Sequence, residues 1–160
     1  MEIRDAVAED AEAACQMLRR SILELCVADH RNDPDILALW LGNKTPDCFN
    51  AWRTQAGSSL LVAVEHGCIL AVGAVTDAGR ITLNYVSPDA RFRGVTRAMV
   101  GALEARAVER GSTRLTLAST KTARRFYRAH GYTEDGPAVG ECGAASGYPM
   151  SKPVVARAAR

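Results

Sequence analysis

Apolar residues at Ala11, Ala14, Cys15, Leu18, Ile22, Leu25 and Cys26 recur at the spacing of one face of a helix. Residues 1–7, just before this stripe, are short and apolar enough for a strand. Glu9, Asp10 and Glu12 fall in the first turn of the helix, where its dipole favours negative charge. Pro34 to Leu41 and Pro46 to Gln55 each begin with proline and are separated by LGNKTP, which predicts two short helices inserted over a sheet. The stretch SSLLVAVEHGCILAVGAVTD holds two apolar runs around His66-Gly67, a hairpin pattern, and RITLNYV after Ala78-Gly79 adds a third strand of an antiparallel meander. From Gly94 to Arg110 the set Val95, Ala98, Met99, Ala102, Leu103 and Ala107 returns to helical spacing, closed by Gly111. RLTLAS at 114–119 reads as a buried strand, reached from the strand ending at Val86 by a right-handed parallel crossover. A short helix from Lys121 to His130 is stopped by Gly131; weak strands follow near Tyr132 and from Tyr148 to Val154, and the last residues are expected to fray.

This order predicts an α+β domain with a mixed, mostly antiparallel central sheet of about seven strands flanked by helices. Nothing splits the chain, so residues 1–155 are expected to form one domain and 156–160 a tail. Formal net charge is +2, which calls for neither a nucleic acid nor a membrane partner. Acidic residues crowd the first third, whereas arginines crowd 91–97 and 124–128, where an anionic ligand would be attracted. The five cysteines are scattered without a CxxC pair, and His30, His66 and His130 lie far apart; neither set suggests a metal site. The acidic start lacks the pattern of a secretory leader, and no apolar run reaches ~18 residues, so a reducing cytoplasm is expected.

Two segments carry chemistry. Val86-Ser87-Pro88-Asp89-Ala90-Arg91-Phe92-Arg93-Gly94-Val95-Thr96 lies between a strand end and a helix start, where unpaired backbone N–H groups and the helix dipole receive anions. Pro88 ends the strand, Gly94 permits close approach, and Arg91, Arg93 and Arg97 add charge. Neither a GxxxxGK[ST] loop nor a GxGxxG turn is present, so nucleotide hydrolysis and hydride transfer drop away. The other segment is Ala123-Arg124-Arg125-Phe126-Tyr127-Arg128-Ala129-His130-Gly131-Tyr132. Phe126 and Tyr127 alone would read as core aromatics.

Together these segments resemble the Gcn5-related N-acetyltransferase (GNAT) family. Arg91-x-x-Gly94-x-Thr96 is similar to its [Q/R]-x-x-G-x-[G/A] pyrophosphate loop, and 123–132 resembles its A-x-x-F-Y-x-x-x-G-[F/Y] signature. Two departures are Thr96, where Gly or Ala is usual, and Thr120, where Asn is usual three residues before Ala123. IRDAVAEDAEAA and GYPMSKPV extend the likeness to both ends of the chain. The resemblance implies acetyl-CoA as cosubstrate, its pyrophosphate held by backbone amides from Phe92 through Arg93, Gly94 and Val95 to Thr96, with Arg91, Arg97 and Arg124 nearby. It implies that the strands ending at Val86 and beginning near Arg114 splay apart, so that Asn84, Tyr85 and Val86 offer free backbone groups to the pantetheine arm. A backbone N–H of Tyr85 or Val86 would polarise the thioester carbonyl. Tyr127 would protonate the departing thiolate, a task suited to a phenol of pKa ~10 that is neutral at working pH.

The acceptor implied is a primary amine, first a small molecule, with a protein N-terminus or lysine as alternative and a non-catalytic acyl-CoA-binding module as another. Residues 29–57 and 136–148 would decide, an acidic pocket favouring small cations and an open groove a peptide. Dimers are common in lookalikes, so a homodimer stays open. The cysteines lie in or beside apolar segments, which disfavours a covalent acyl-enzyme, and direct attack by the amine is expected. Neither 81–86 nor 115–119 contains Asp or Glu, so the carboxylate base of many relatives is missing. A water relay to Glu24, Asp29 and His30 is the expected route for the proton.

Overall fold

The computed structural model describes residues 1–140 and 147–156; Cys142 and positions 157–160 of the expected tail lie outside them. The strands β1 (Glu2–Asp5), β2 (Ser58–Glu65), β3 (Cys68–Thr76) and β4 (Ile81–Val86) form an antiparallel sheet in that order. β5 (Arg114–Ser119), β6 (Thr133–Glu134) and β7 (Tyr148–Pro153) form a second, in the order β5-β7-β6. The seven strands expected are thus present among the described residues.

The core of β2, Leu60 to Val64, is continuously apolar rather than alternating because both faces of the strand are covered. Leu60 and Val62 pack with α1 (Ala11–Leu25) and its buried Ala14, Cys15 and Leu18, whereas Leu61 and Ala63 pack with α5 (Val95–Glu109) and its buried Met99 and Leu103. Each helix therefore closes one core layer on an opposite face of the first sheet.

Between α1 and β2 run α2 (Val27–His30), α3 (Pro34–Leu41) and α4 (Pro46–Thr54). The proline-started pair forms as the sequence predicts, because Asp33 accepts from the N–H groups of Asp35 and Ile36, and Thr45 from that of Cys48. The single turn α2 was not legible. It ends on Arg31 and Asn32, both left-handed at φ 50° and 55°, and no glycine marks that reversal.

The two sheets meet at one point. Arg80 and Thr116 form a parallel bridge, and the Thr116 N–H donates to Gly79 O at 2.9 Å. A Cβ at Gly79 would lie 2.3 Å from Arg114 O, so this junction requires glycine. Past the bridge, β4 and β5 make no further ladder pairs among the described residues. α6 (Arg124–Ala129) follows β5 and brings Phe126 and Tyr127 to the side of the α5 core layer.

Candidate active site

The parting of β4 and β5 opens a cleft of about 240 Å³. Its floor is the two strands; Ser21 and Leu25 of α1 with Cys26 just after it form one wall, Arg91 and Thr96 one end, and Phe126 and Tyr127 another side. The direction of the backbone groups follows from the ladder. Ser87 N–H donates to Leu70 O at 2.7 Å, and the pairing Ala71 with Val86 and Val72 with Tyr85 continues in step to Ala74. Antiparallel pairs alternate, so Tyr85 bonds to Val72 while the N–H and C=O of Asn84 and Val86 point away from β3, into the cleft. On the facing strand, Val154 N–H donates to Thr113 O, and the same alternation turns Ala118 toward the cleft. Of the two donors expected at a thioester carbonyl, the N–H of Val86 faces the cleft, whereas that of Tyr85 belongs to the sheet.

At the end of β4 the chain turns through Phe92 (φ 60°) and Gly94 (φ 78°) into α5. The Gly94 Cα has open space before it, with no atom within 4 Å of an added Cβ. α5 starts without a side-chain cap and has no acidic residue in its first turn. Its leading N–H groups are thus unspent and the positive end of its dipole unopposed, an anion-binding arrangement. Arg20 on α1 braces this turn by binding Asp89 (2.7 Å) together with Glu24 (2.9 Å). Arg93 pairs with Glu65, and the Arg91 guanidinium lies 4.8 Å from the exposed Phe92 ring.

Tyr127 is buried, 5% exposed, and its ring meets Phe126 and Tyr132 edge-on. Asn84 Nδ2 donates to its hydroxyl at 2.8 Å. Burial pushes the phenol up to about 12, against the smaller opposite pull of the Asn84 hydrogen bond. The turn preceding α6 is fixed by Asp29, which accepts from Lys121 N–H (2.7 Å), Thr122 N–H and the Thr122 hydroxyl (2.6 Å). Thr120 Oγ1 caps the same turn by accepting from Ala123 N–H at 3.1 Å.

Of the residues expected at the site, Asn84, Tyr85, Val86, Arg91, Thr96, Thr120 and Tyr127 line the cleft. Phe92, Arg93, Gly94, Val95 and Arg97 belong to the turn and first helical residues beside it. Arg124 does not join them: it binds Glu134 at 2.6 Å and lies over the Tyr148 ring at 3.8 Å, turned toward β6 and β7. The Tyr85 hydroxyl is also spoken for, accepting from Trp40 Nε1 at 2.9 Å, and burial raises its pKa.

None of Glu24, Asp29 and His30 lines the cleft. Glu24 pairs with Arg20, and Asp29 holds the α6 turn. His30 is fully buried, with Nδ1 accepting from Asn32 N–H and Nε2 facing Ile22 O at 3.0 Å, which the neutral ring satisfies. These three are structural, and no described carboxylate lines the cleft. Cys26 does line it, but burial pushes its thiol up to about 12, so little thiolate is available for a covalent route. A second cavity of about 250 Å³ shares Thr82 and Leu83 and adds Asn43, Trp52, Gln55, Ser58 and Thr76, again without a carboxylate.

Sequence reasoning missed the Asn84 side chain, although Asn is depleted in strands and its place in β4 was a signal. The α1 wall and the Asp29 anchor gave no signal, since both depend on contacts across the fold.

The family model of the acetyltransferase (GNAT) domain matches residues 38–153. No curated protein matches this chain in sequence. Among solved structures, a GCN5-related N-acetyltransferase from Rhodopseudomonas palustris superposes with a TM-score of 0.84 at 24% identity, over 96% of this chain and 95% of that one. The PaiA N-acetyltransferase of Thermoplasma acidophilum, solved with coenzyme A, gives 0.82 at 14% identity over 96% and 98%. An aminoglycoside 6'-acetyltransferase type Ii gives 0.73 at 16% identity over 99% and 100%.

Proposed function

The chain belongs to the acetyltransferase (GNAT) domain family, and from that premise we propose that it moves the acetyl group of acetyl-CoA directly onto a primary amine. One observation carries the reading. A cleft between two parted strands ends at an uncapped helix N-terminus on one side and runs beside a buried tyrosine hydroxyl on another.

Acetyl-CoA fits these residues. The N–H groups at the start of α5, with Arg91 beside them, would receive the pyrophosphate, and the cleft-facing groups of Asn84, Val86 and Ala118 would pair with the amides of the pantetheine arm. Val86 N–H would take the charge that grows on the thioester oxygen. Tyr127, neutral at working pH and held more firmly so by a pKa raised to about 12, would give its proton to the leaving sulfur. The surplus proton of the amine would leave through water, as no described carboxylate borders the cleft.

The absence of a described carboxylate from either lining also bears on the acceptor. A polycation would meet no described counter-charge in either cavity, so a small monoamine with an uncharged body fits best. Amine-dependent release of coenzyme A, screened over small monoamines, polyamines, peptide N-termini and lysine peptides with mass detection of the product, tests this. Acetylation of a small monoamine is the expected result. Binding of acetyl-CoA without release to any amine would leave a binding module, and no binding would overturn the reading.

A further inference from the structure

We infer that Asn84 is a positioning residue with two tasks in the transfer: its amide N–H sets the direction of the Tyr127 hydroxyl, and its Oδ1 receives an N–H of the attacking amine. The inference rests on the acetyl transfer proposed above. Asn84 Nδ2 donates to Tyr127 Oη at 2.8 Å, so the phenolic oxygen is an acceptor in this pair. Its own proton is then directed elsewhere, and no described residue accepts it. Asn84 Oδ1 is buried and has no partner. A buried carbonyl oxygen without a donor is unfavourable, and such groups are rare unless a ligand completes them.

The two groups complement the reaction. One amide bonded to one phenol leaves a proton donor, Tyr127 O–H, and a buried acceptor, Asn84 Oδ1, unspent on neighbouring side chains of two residues that line the cleft. The departing sulfur needs the donor; the incoming nitrogen carries the N–H that needs the acceptor. The opposite amide orientation would capture the phenolic proton and put Nδ2 where Oδ1 now lies, serving neither. In the step itself the C–N bond forms as the C–S bond breaks. The Tyr127 proton goes to sulfur, the surplus proton of the nitrogen goes to water, and a proton returned from water restores the phenol. Oδ1 stays a hydrogen-bond acceptor throughout, because an amide oxygen is too weak a base to keep the proton.

Kinetics with acetyl-CoA and an amine substrate on Asn84→Ala, Asn84→Asp, Tyr127→Phe and the Asn84→Ala, Tyr127→Phe double variant test this, alongside calorimetry of acetyl-CoA. Asn84→Ala should lower kcat/KM for the amine ~10- to 10²-fold with acetyl-CoA affinity unchanged, and the loss should shrink in the Tyr127→Phe background. Asn84→Asp keeps the shape but offers only acceptors, so it should divert the phenolic proton and lose as much as Asn84→Ala. If Asn84→Ala does not fold, this isosteric variant still decides. Full activity of Asn84→Asp, strictly additive losses, or a loss confined to acetyl-CoA affinity would each overturn the inference. Unchanged turnover of Tyr127→Phe would instead remove the acid assignment on which it stands.

Discussion

Tyr127 shows how one burial changes chemistry. Desolvation holds its phenol neutral to about 12, above its ordinary value, so the protonated donor persists over the whole working pH range. The kcat profile should therefore begin to fall on account of Tyr127 only as pH approaches 12, rather than near the ordinary phenol value of 10. Tyr127→Phe should leave acetyl-CoA affinity nearly intact and reduce turnover ~10- to 10³-fold, because the hydroxyl matters as thiolate charge develops. Steady-state kinetics and calorimetry together check it. Gly94→Val should do the reverse: the space before Gly94 Cα is where an anion would approach, and φ 78° strains any branched residue. Calorimetry on the folded variant should show weakened acetyl-CoA binding. The identity of Tyr127 was legible because it sits in a contiguous pattern. Its partner was not, since Asn84 reaches it across 43 positions of sequence.

Among the elements, the turn into α6 is the clearest dependence of the site on a distant segment. Asp29, from the short α2, holds it through three donors, and that turn sets where Tyr127 stands. Asp29→Ala should cost ~1–3 kcal/mol, the range for stranding buried donors, read from urea unfolding. Turnover should fall with it while the ascending limb of the pH profile stays, since Asp29 positions and does not accept the proton. Periodicity found α1, α3, α4 and α5 because each shows a stripe or a proline start. It could not find α2, whose single turn is shaped by burial of Asp29 and His30 rather than by local preference.

For the whole molecule, the meander and the crossover were readable from apolar runs. The splay was implied only by resemblance, because among the described residues the two sheets pair only in the bridge of Arg80 with Thr116, a contact made across the fold. Burial also leaves a mark on global stability. Lys44 is 6% exposed, donates to Trp40 O and Asn43 Oδ1, and burial pulls its pKa from 10.5 down to about 8. Between pH 8 and 10.5 the unfolded chain then binds more protons than the folded one, so this group makes stability rise with pH in that window. The Cys26 thiol, raised from 9.0 to about 12, has the opposite slope above pH 9, so the difference from Lys44→Met isolates the lysine. Urea unfolding at the two ends of the window should show the stability gap between wild type and Lys44→Met narrowing as pH rises if the charged lysine is the cost.

The account as a whole requires that the parted strands be where the acyl donor lies. The crystal structure of a coenzyme A complex measures this directly, through the position of the sulfur. The prediction is a pantetheine arm between β4 and β5, bonded to the backbone of Val86, with its sulfur in hydrogen-bond reach of Tyr127 Oη and its pyrophosphate at the start of α5. A coenzyme seated elsewhere, or a sulfur out of reach of Tyr127, would contradict it.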